Sequence, residues 1–302
     1  MRDVLAYAAV LVLLVASQTG CGQAGDAGQA AEAPAATTEF AGQVDVAVAS
    51  VLSVAARLEE GLESEHRSQE NRARDVYRHP VETLGFLGIE PDMTVAEISP
   101  GGGWYTEILA PLLRDEGSFY AAGSDPESES EYAQRSAKRF AEKLAAHPEV
   151  YDRAIVTVLA PGKREIAPRG SADAVLTFRN VHNWLARGSA EAVFQEMFAA
   201  LKPGGILGVV EHRGDPASDQ DPKAASGYVR QDFVIALAES VGFEFLESSE
   251  INANPSDTRD YPKGVWTLPP SYRLKDVDRE KYAGIGESDR MTLKFRKPEV
   301  AS

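Results

Sequence analysis

Residues Val95 to Thr106 read VAEISPGGGWYT, and this stretch decides the fold. An apolar run with an acid near its end is followed by three consecutive glycines, Gly101 to Gly103, and then by the apolar-periodic segment TEILAPLL. This pattern predicts a strand, a tight turn and a helix. Glycines let the backbone approach a ligand closely, and the first N–H groups of a helix lack partners. The turn is therefore a candidate site for a nucleotide-like ligand.

The glycine spacing fits the dinucleotide-binding fingerprint only in part. Gly101 and Gly103 supply its first two glycines, whereas Thr106 stands at the third position. An NAD(P)-dependent oxidoreductase is therefore the less favoured interpretation. A turn that only reverses the chain is a further alternative.

The same stretch resembles the first motif of class I S-adenosylmethionine-dependent methyltransferases, in which an acid ends strand 1 and a glycine-rich turn follows. PGGGWYTEILAP, together with FRNVHNW at Phe178 to Trp184, resembles a subgroup known as predicted methyltransferases. The resemblance implies S-adenosyl-L-methionine as cofactor and an unidentified small-molecule or protein acceptor. It also implies that Glu97 meets the cofactor's ammonium group. The turn is expected to bind the cofactor's carboxylate, through Ser99, Gly101, Gly102 and Gly103.

The composition of the 302-residue chain predicts a globular protein, since 43% of its residues are hydrophobic. The formal net charge is -15. Such a balance argues against capture of nucleic acid or of an anionic membrane surface. Small or cationic partners suit it better.

The N-terminal segment, residues 1–20, contains an apolar run from Val4 to Ala16 that is too short for a relaxed membrane span and predicts a signal peptide. Cys21 follows Gly20 in a pattern that resembles the lipobox of bacterial lipoproteins, although Gln18 stands where leucine is usual. We therefore expect an exported periplasmic or cell-envelope lipoprotein, held at the membrane only through an acylated Cys21. A conventionally cleaved signal and an uncleaved start are the alternatives.

Residues 21–43 are rich in Ala, Gly, Gln, Thr and Pro, which predicts a flexible linker. The catalytic domain is expected over residues 44–300. There, strands alternate with helices, so the pattern predicts βαβ units with helices on both faces of a parallel sheet. The closing segments FEFL and MTLKF predict a hairpin. This ending resembles the seven-stranded, Rossmann-like class I methyltransferase sheet, whose last strand is antiparallel.

Candidate side chains follow the carboxyl ends of the predicted strands, where open α/β sheets bind ligands. By resemblance, an acid at the end of strand 2 would hold the cofactor's ribose. Gly123 stands near that position and Asp125 follows two residues later. The carboxylate of Asp125 could equally cap the next turn, before Pro126.

FRNVHNW, at the end of the predicted fourth strand, combines a cation, two amides, an imidazole and an aromatic ring. The substrate-binding candidates are Arg179, Asn180, Asn183 and Trp184. Methyl transfer needs a base only when the acceptor is protonated, and His182 is the first candidate for that base, with His212 as the second. A purely structural role for either histidine is the alternative. The long loop from Ser248 to Tyr272, with the segments GYVRQ and GESDR, could enclose the acceptor or only cover the sheet edge.

No metal site is expected, because the chain has one cysteine and five scattered histidines without ligand spacing such as HxxxH or CxxC. Export conflicts with the cofactor, since S-adenosylmethionine is a cytoplasmic metabolite. A non-enzymatic binding lipoprotein that keeps the methyltransferase fold is therefore a second hypothesis.

Overall fold

The computed structural model describes residues 54–299. The predicted signal segment, Cys21, the linker and the first part of the predicted domain lie outside these residues. From Ala56 onward the chain forms one compact unit. No helix within the described range is long and apolar enough to cross a membrane.

One eight-stranded sheet organises this unit, with the strand order β4-β3-β2-β1-β5-β6-β8-β7. Its strands are β1 Thr94–Ile98, β2 Ser118–Gly123, β3 Ile155–Ala160, β4 Lys163–Glu165, β5 Ala172–Phe178, β6 Leu201–His212, β7 Glu244–Ser249 and β8 Arg290–Arg296. The parallel strands are β1, β2, β3, β5 and β6. The strand β4 pairs antiparallel with β3, and β8 pairs antiparallel with both β6 and β7. The predicted class I methyltransferase fold, with its antiparallel last strand, is thus confirmed.

Helices surround the sheet and connect its strands. They are Gln69–Arg72, Asp75–Arg78, Pro80–Leu87, Thr106–Leu113, Glu131–Ala146, Pro148–Tyr151, Val181–Arg187, Ala190–Ala200, Gln231–Val241 and Arg279–Ile285, with a 3-10 turn at Gly264–Thr267 and helical backbone over 54–62. Pro80 at the start and left-handed Gly88 (φ 73°) at the end bound one helix as the sequence predicts.

Three elements differ from the sequence prediction. The sheet has one strand more than the seven predicted. This additional strand, β4, consists of three exposed residues that pair with the end of β3, so no apolar pattern in the sequence indicates it. β7 and β8 are neighbours as predicted, but the helix Arg279–Ile285 lies between them in the chain. The segment from Asn71 to Tyr77, which the sequence predicts as one short helix, is divided between two four-residue helices, Gln69–Arg72 and Asp75–Arg78.

The centre of the sheet is formed by β1 and β5, which are buried along almost their whole length. β1 pairs with β2 on one side and with β5 on the other. The chain therefore leaves β1 in one direction and returns on its opposite side, which opens a crevice at the carboxyl ends of these two strands. Glu97 is a buried acid within this apolar centre, with 3% of its surface exposed.

Candidate active site

Two residues in strained conformations lie at the carboxyl ends of β1 and β5. Ser99 has a φ of 53° and Arg179 a φ of 63°, both in the left-handed region that non-glycine residues rarely adopt. Each such residue costs on the order of 1–3 kcal/mol, and strain of this kind is concentrated at ligand sites. Both strand ends turn sharply here and direct the following segments over the crevice.

Asn180 connects the two strand ends through its side-chain amide. Its Nδ2 donates to the carbonyl oxygen of Ile98 at 3.0 Å and to Thr177 Oγ1 at 3.2 Å, and it lies 3.4 Å from the carbonyl oxygen of Ser99. The amide therefore fixes the start of the glycine turn relative to β5. Asn180 also lines the crevice, so this predicted substrate-binding residue has a positioning role in the structure.

The glycine turn leaves backbone donors free. The amide of Gly103 donates to the carbonyl oxygen of Pro100 at 2.9 Å, but no protein hydrogen bond within residues 54–299 uses the amides of Gly101 or Gly102. A Cβ atom on Gly103 would lie 3.1 Å from the side chain of Lys143, whereas one on Gly101 or Gly102 would meet nothing within 4 Å. Two unpaired amides in an open turn can bind an anionic group.

A cavity of about 350 Å³ opens beside this turn, at the carboxyl ends of β1, β2, β3 and β5. Of the predicted site residues, it is lined by Ser99, Gly101, Asn180, Asn183 and Trp184. Its other walls include Gly123, Tyr132, Phe140, Val158 and Arg187. The volume and the mixture of apolar walls with a few polar groups are typical of small-molecule sites.

Glu97 lies beneath the turn and does not line the cavity. Its Oε2 accepts a hydrogen bond from Thr106 Oγ1 at 2.6 Å. Burial raises the pKa of Glu97 to about 7, although the Thr106 hydrogen bond and the charges of Lys143 and Arg179 act in the opposite direction. The carboxyl group can therefore change its protonation state near neutral pH, and a nearby cation would favour its ionised form.

Asp125 is engaged outside the cavity. Its Oδ1 accepts the backbone N–H of Glu127 at 3.0 Å, and its Oδ2 lies 3.1 Å from Lys163 Nζ on β4. The Glu127 hydrogen bond is the main cause that lowers the pKa of Asp125. These contacts correspond to the alternative role of capping the turn after β2. No carboxylate lines the described cavity where a ribose-binding acid would be expected.

His182 lies beside the carboxyl end of β6 and is 6% exposed. Its Nδ1 lies 3.0 Å from Glu211 Oε1, and its backbone N–H donates to Glu211 Oε2 at 3.3 Å. A carboxylate that accepts a proton from Nδ1 leaves Nε2 as the basic nitrogen of the imidazole. The pair therefore has the arrangement of a base held by an orienting acid.

His212 lies beside this pair, with its ring centroid 5.3 Å from that of His182. Its Nδ1 is 2.5 Å from Ser288 Oγ, and its ring contacts Tyr228 edge-on at 6.5 Å. Burial lowers the pKa of His212 well below 6.5, and the charge of His182 and nearby arginines add to this effect. His212 is therefore neutral at neutral pH.

Three loop segments meet around these histidines. Trp266, from the long loop after β7, lies edge-on to His182 at 5.9 Å. Tyr228 belongs to GYVRQ and Ser288 to GESDR. The OH of Tyr228 donates to Asp257 at 2.8 Å, which ties the long loop to the segment before the helix Gln231–Val241. The loop thus reaches His182 directly, and through Asp257 it binds the Tyr228 side chain that lies against His212.

The structure also brings together a set of side chains that could hold a metal ion. One ligand atom each from His182, Glu211 and His212 lies within 4.8 Å of the others, although no sequence spacing predicted such a site. Two features favour a hydrogen-bonded group instead. Glu211 already accepts from His182, and the positive charges of Arg179 and Arg290 act on His212.

The sequence prediction missed several residues of this region. Glu211 is fully buried and orients His182. It stands in the apolar run ILGVVEH, and the sequence signal that could have identified it is an acid near the end of a predicted strand. Arg187, Tyr132 and Phe140 line the cavity from helices. FRNVHNW itself is no simple loop, since the helix Val181–Arg187 begins directly after Asn180.

Comparison with known proteins identifies the fold. No protein-family model and no curated protein matches the sequence. Three solved structures are similar: the 4+2 cyclase SpnF (18% identity, TM-score 0.52, 79% of this chain and 86% of that chain), a SAM-dependent methyltransferase from Aquifex aeolicus (14%, 0.51, 80% and 98%) and a putative sarcosine dimethylglycine methyltransferase from Galdieria sulphuraria (16%, 0.50, 76% and 86%). At these identities the similarity shows the shared fold, and the reaction has to be argued from the site.

The Asn180 connection predicts a measurable loss of stability. Asn180→Ala leaves the carbonyl oxygen of buried Ile98 without this donor, so the free energy of unfolding should fall by about 1–3 kcal/mol. Asn183→Ala is the matched control, because Asn183 lines the same cavity but its side chain makes no hydrogen bond within the described residues. Urea unfolding of both variants measures the difference, and equal stabilities would contradict the role of Asn180.

Proposed function

We propose that this protein transfers the methyl group of S-adenosyl-L-methionine to an acceptor bound on the Arg179–His182–His212 side of the crevice. The observation that carries the proposal is the open glycine turn, with its unpaired amides of Gly101 and Gly102, beside a cavity at the β1–β5 switch point. The fold of methyltransferases supports it, but SpnF shares that fold and is a cyclase, so the fold alone does not fix the reaction.

The residues present fit most of this cofactor. The amides of Gly101 and Gly102 would bind its carboxylate, and Glu97 would interact with its ammonium group. Phe140, Val158 and Trp184 supply an apolar wall for a flat ring. The ribose site differs from the usual pattern, because Asp125 is held by Glu127 and Lys163. When bound, the cofactor supplies an activated methyl group.

The chain's own residues would supply positioning and proton transfer. The strand ends would hold the two ligands on adjacent sides of Ser99 and Arg179, which would lower the entropic part of the barrier. His182 Nε2 would take a proton from the acceptor, and Glu211 would stabilise the resulting imidazolium. Trp266 and Tyr228 lie against His182 and His212 and would exclude water from a bound acceptor.

Cofactor binding should depend on pH through Glu97. Its pKa of about 7 means that it is protonated below neutral pH and ionised above it. An ammonium group favours the ionised form, so affinity for S-adenosylmethionine should weaken by up to about tenfold for each pH unit below 7. Isothermal titration of the full-length chain between pH 5.5 and 8.5 measures this dependence.

Two variants and two other ligands provide the controls for that titration. Glu97→Gln should flatten the pH profile, while Glu142→Gln, which replaces an exposed acid on the helix Glu131–Ala146, should keep it. S-adenosylhomocysteine should also bind, whereas NAD should not. Absence of binding by both S-adenosyl compounds would refute the proposal, and binding of NAD would favour the oxidoreductase alternative.

His182→Ala should slow methyl transfer without weakening cofactor binding. A positioned general base contributes roughly 10²- to 10⁴-fold, so a loss in this range is expected for a protonated acceptor. The assay follows transfer of radioactive methyl from S-adenosylmethionine to a panel of phenols, amines and hydroxy acids. His147→Ala, on an exposed helix end, is the control. Unchanged turnover in His182→Ala, on any acceptor that is protonated, would assign the histidine a structural role.

We also propose that the chain is exported and carries a lipid on Cys21. The support is the short apolar run followed by Gly20 and Cys21, residues that lie outside the described range. Cys21→Ser should leave an unprocessed precursor or release the protein from the membrane fraction, as judged by fractionation and mass spectrometry. A wild-type chain that stays unprocessed and soluble would contradict export and would remove the conflict with a cytoplasmic cofactor.

A further inference from the structure

Three arginines contact one buried acid, Glu287, and a fourth acts on it through its charge. Arg74 Nε lies 2.6 Å from Glu287 Oε1, while Arg78 Nε and Arg290 Nη1 lie 3.2 and 3.1 Å from Glu287 Oε2. Arg179 acts on the same carboxylate through its charge. Burial would raise the pKa of Glu287, but the four arginines outweigh it and lower that pKa to about 2. One negative charge is thus shared by four positive ones.

Arg78 is the least satisfied member of this group. It is 1% exposed, and its Nη1 and Nη2 have no hydrogen-bond partner within residues 54–299. Its guanidinium lies over the ring of Trp104 at 4.5 Å, which orients the plane but uses none of these donors. A buried charged group with unused donors is costly, and a bound anion would remove that cost.

Arg179 places this group at the candidate active site. It ends β5, its neighbour Asn180 lines the cofactor cavity, and its charge acts on Glu97, His212 and Arg78. No hydrogen bond or ion pair of the Arg179 side chain occurs in the described part of the chain, and the residue is partly exposed. Its donors therefore remain available to a ligand.

The surrounding acids do not neutralise the arginines. Asp289, the nearest acid in sequence to Glu287, pairs instead with Arg213 at 2.8 Å and with Arg259 at 2.5 Å. Glu211 accepts from His182 and from two backbone amides. Several positive charges are therefore left without an acid of their own.

The group can be reached from outside. The side chain of Arg74 is 21% exposed and Arg179 is partly exposed. A second cavity, of about 160 Å³, lies on the other side of Glu287 and is lined by Arg290, Tyr77 and His79, but by neither Arg78 nor Arg179. Arg74 and Arg290 already donate to Glu287 and to backbone oxygens, so they would contribute only charge to a bound anion. The free donors would come from Arg78 and Arg179.

We propose that Arg78 and Arg179 bind an oxyanion, a carboxylate or a phosphate, of the acceptor. That the anion belongs to an acceptor rests on the proposed methyl transfer, whereas the anion site itself does not. The planar fork of arginine binds both kinds of oxyanion through paired N–H donors. The net charge of -15 suggested small or cationic partners, but the local charge at this site is positive.

The test is direct anion binding to the full-length chain. Isothermal titration at constant ionic strength uses inorganic phosphate in one arm and malonate in another, with S-adenosylhomocysteine in a separate titration. Each hydrogen bond to a charged group is worth about ten- to a hundredfold in affinity, so Arg179→Gln should weaken anion binding by that factor. Arg169→Gln, which removes an exposed arginine before the amino end of β5, should have no effect.

Two further variants separate ligand binding from a structural role. Arg78→Lys keeps the charge but loses the fork, so it should weaken anion binding while the chain stays folded. Glu287→Gln removes the only shared acid and should lower the melting temperature, and phosphate or malonate should restore it and bind more tightly than to the wild type. A purely structural group predicts the same loss of stability without restoration by anions.

The possible results assign the failure to one proposal or the other. If S-adenosylhomocysteine binds but neither anion does, or if Arg179→Gln and Arg78→Lys bind anions as the wild type does, the anion site is refuted and methyl transfer stands. If anions bind in the Arg179-dependent way but S-adenosylhomocysteine does not bind, the anion site stands and methyl transfer is refuted. Preference for phosphate or for malonate identifies the class of oxyanion.

Discussion

The pairing of β1 with β5 is the constraint on which the site depends. These strands are parallel and adjacent. In the sequence, however, β2 and β3 come between them, and in the sheet both lie on the other side of β1. Their carboxyl ends must therefore diverge, and both do so through left-handed residues, Ser99 and Arg179. The strain at these positions is offset by buried pairing along the strands and by the amide of Asn180, which connects the two ends. The glycine turn and the segment FRNVHNW are both held by this junction.

The junction also separates two electrostatic environments. Beneath the glycine turn, buried Glu97 has a pKa of about 7 and forms no ion pair within the described residues, where two turn amides also lack acceptors. Around Glu287, arginines outnumber the acids that they contact in the described part of the chain. Each side lacks the charge that a suitable ligand would bring, and buried groups of this kind cost several kcal/mol when uncompensated. Ligand binding and local stability are therefore coupled, because a ligand that binds only the folded chain stabilises it.

Much of the fold could be predicted from local patterns. The acid-ended strand, the glycines and the alternation of strands with helices determine β1, the turn and the parallel sheet, because these signals lie within short segments. β4 could not be predicted, since its three charged residues pair only because the turn before them returns to the edge of β3. The helix after Asn180 was missed because seven residues carry too little periodicity to predict it.

The site was predicted less completely, for a different physical reason. Its residues come from distant segments, and only the sheet order makes neighbours of Glu211 and His182 or of Glu287 and Arg78. Asp125 illustrates the opposite case. Its position after β2 suggested a ribose-binding acid, but the N–H of Glu127 and the side chain of Lys163 on the unpredicted β4 engage its carboxylate. Spacing in sequence shows which side chains reach the strand ends, and it does not show which partners compete for them.

The arginines also bear on which acceptor atom can react. An oxyanion held by Arg78 and Arg179 has its lone pairs engaged in charged hydrogen bonds, which makes it a poorer nucleophile and stabilises the ground state as much as the transition state. The oxyanion is then an anchor, and the reacting atom is a different group of the same molecule. A base is consistent with that division, because His182 and Glu211 would be needed for a neutral hydroxyl or amine and not for a group that is already anionic. The oxyanion would be bound equally strongly in the ground state and in the transition state, and it would position the protonated group next to His182. Proton transfer to His182 is then an interaction that forms only as the reaction proceeds.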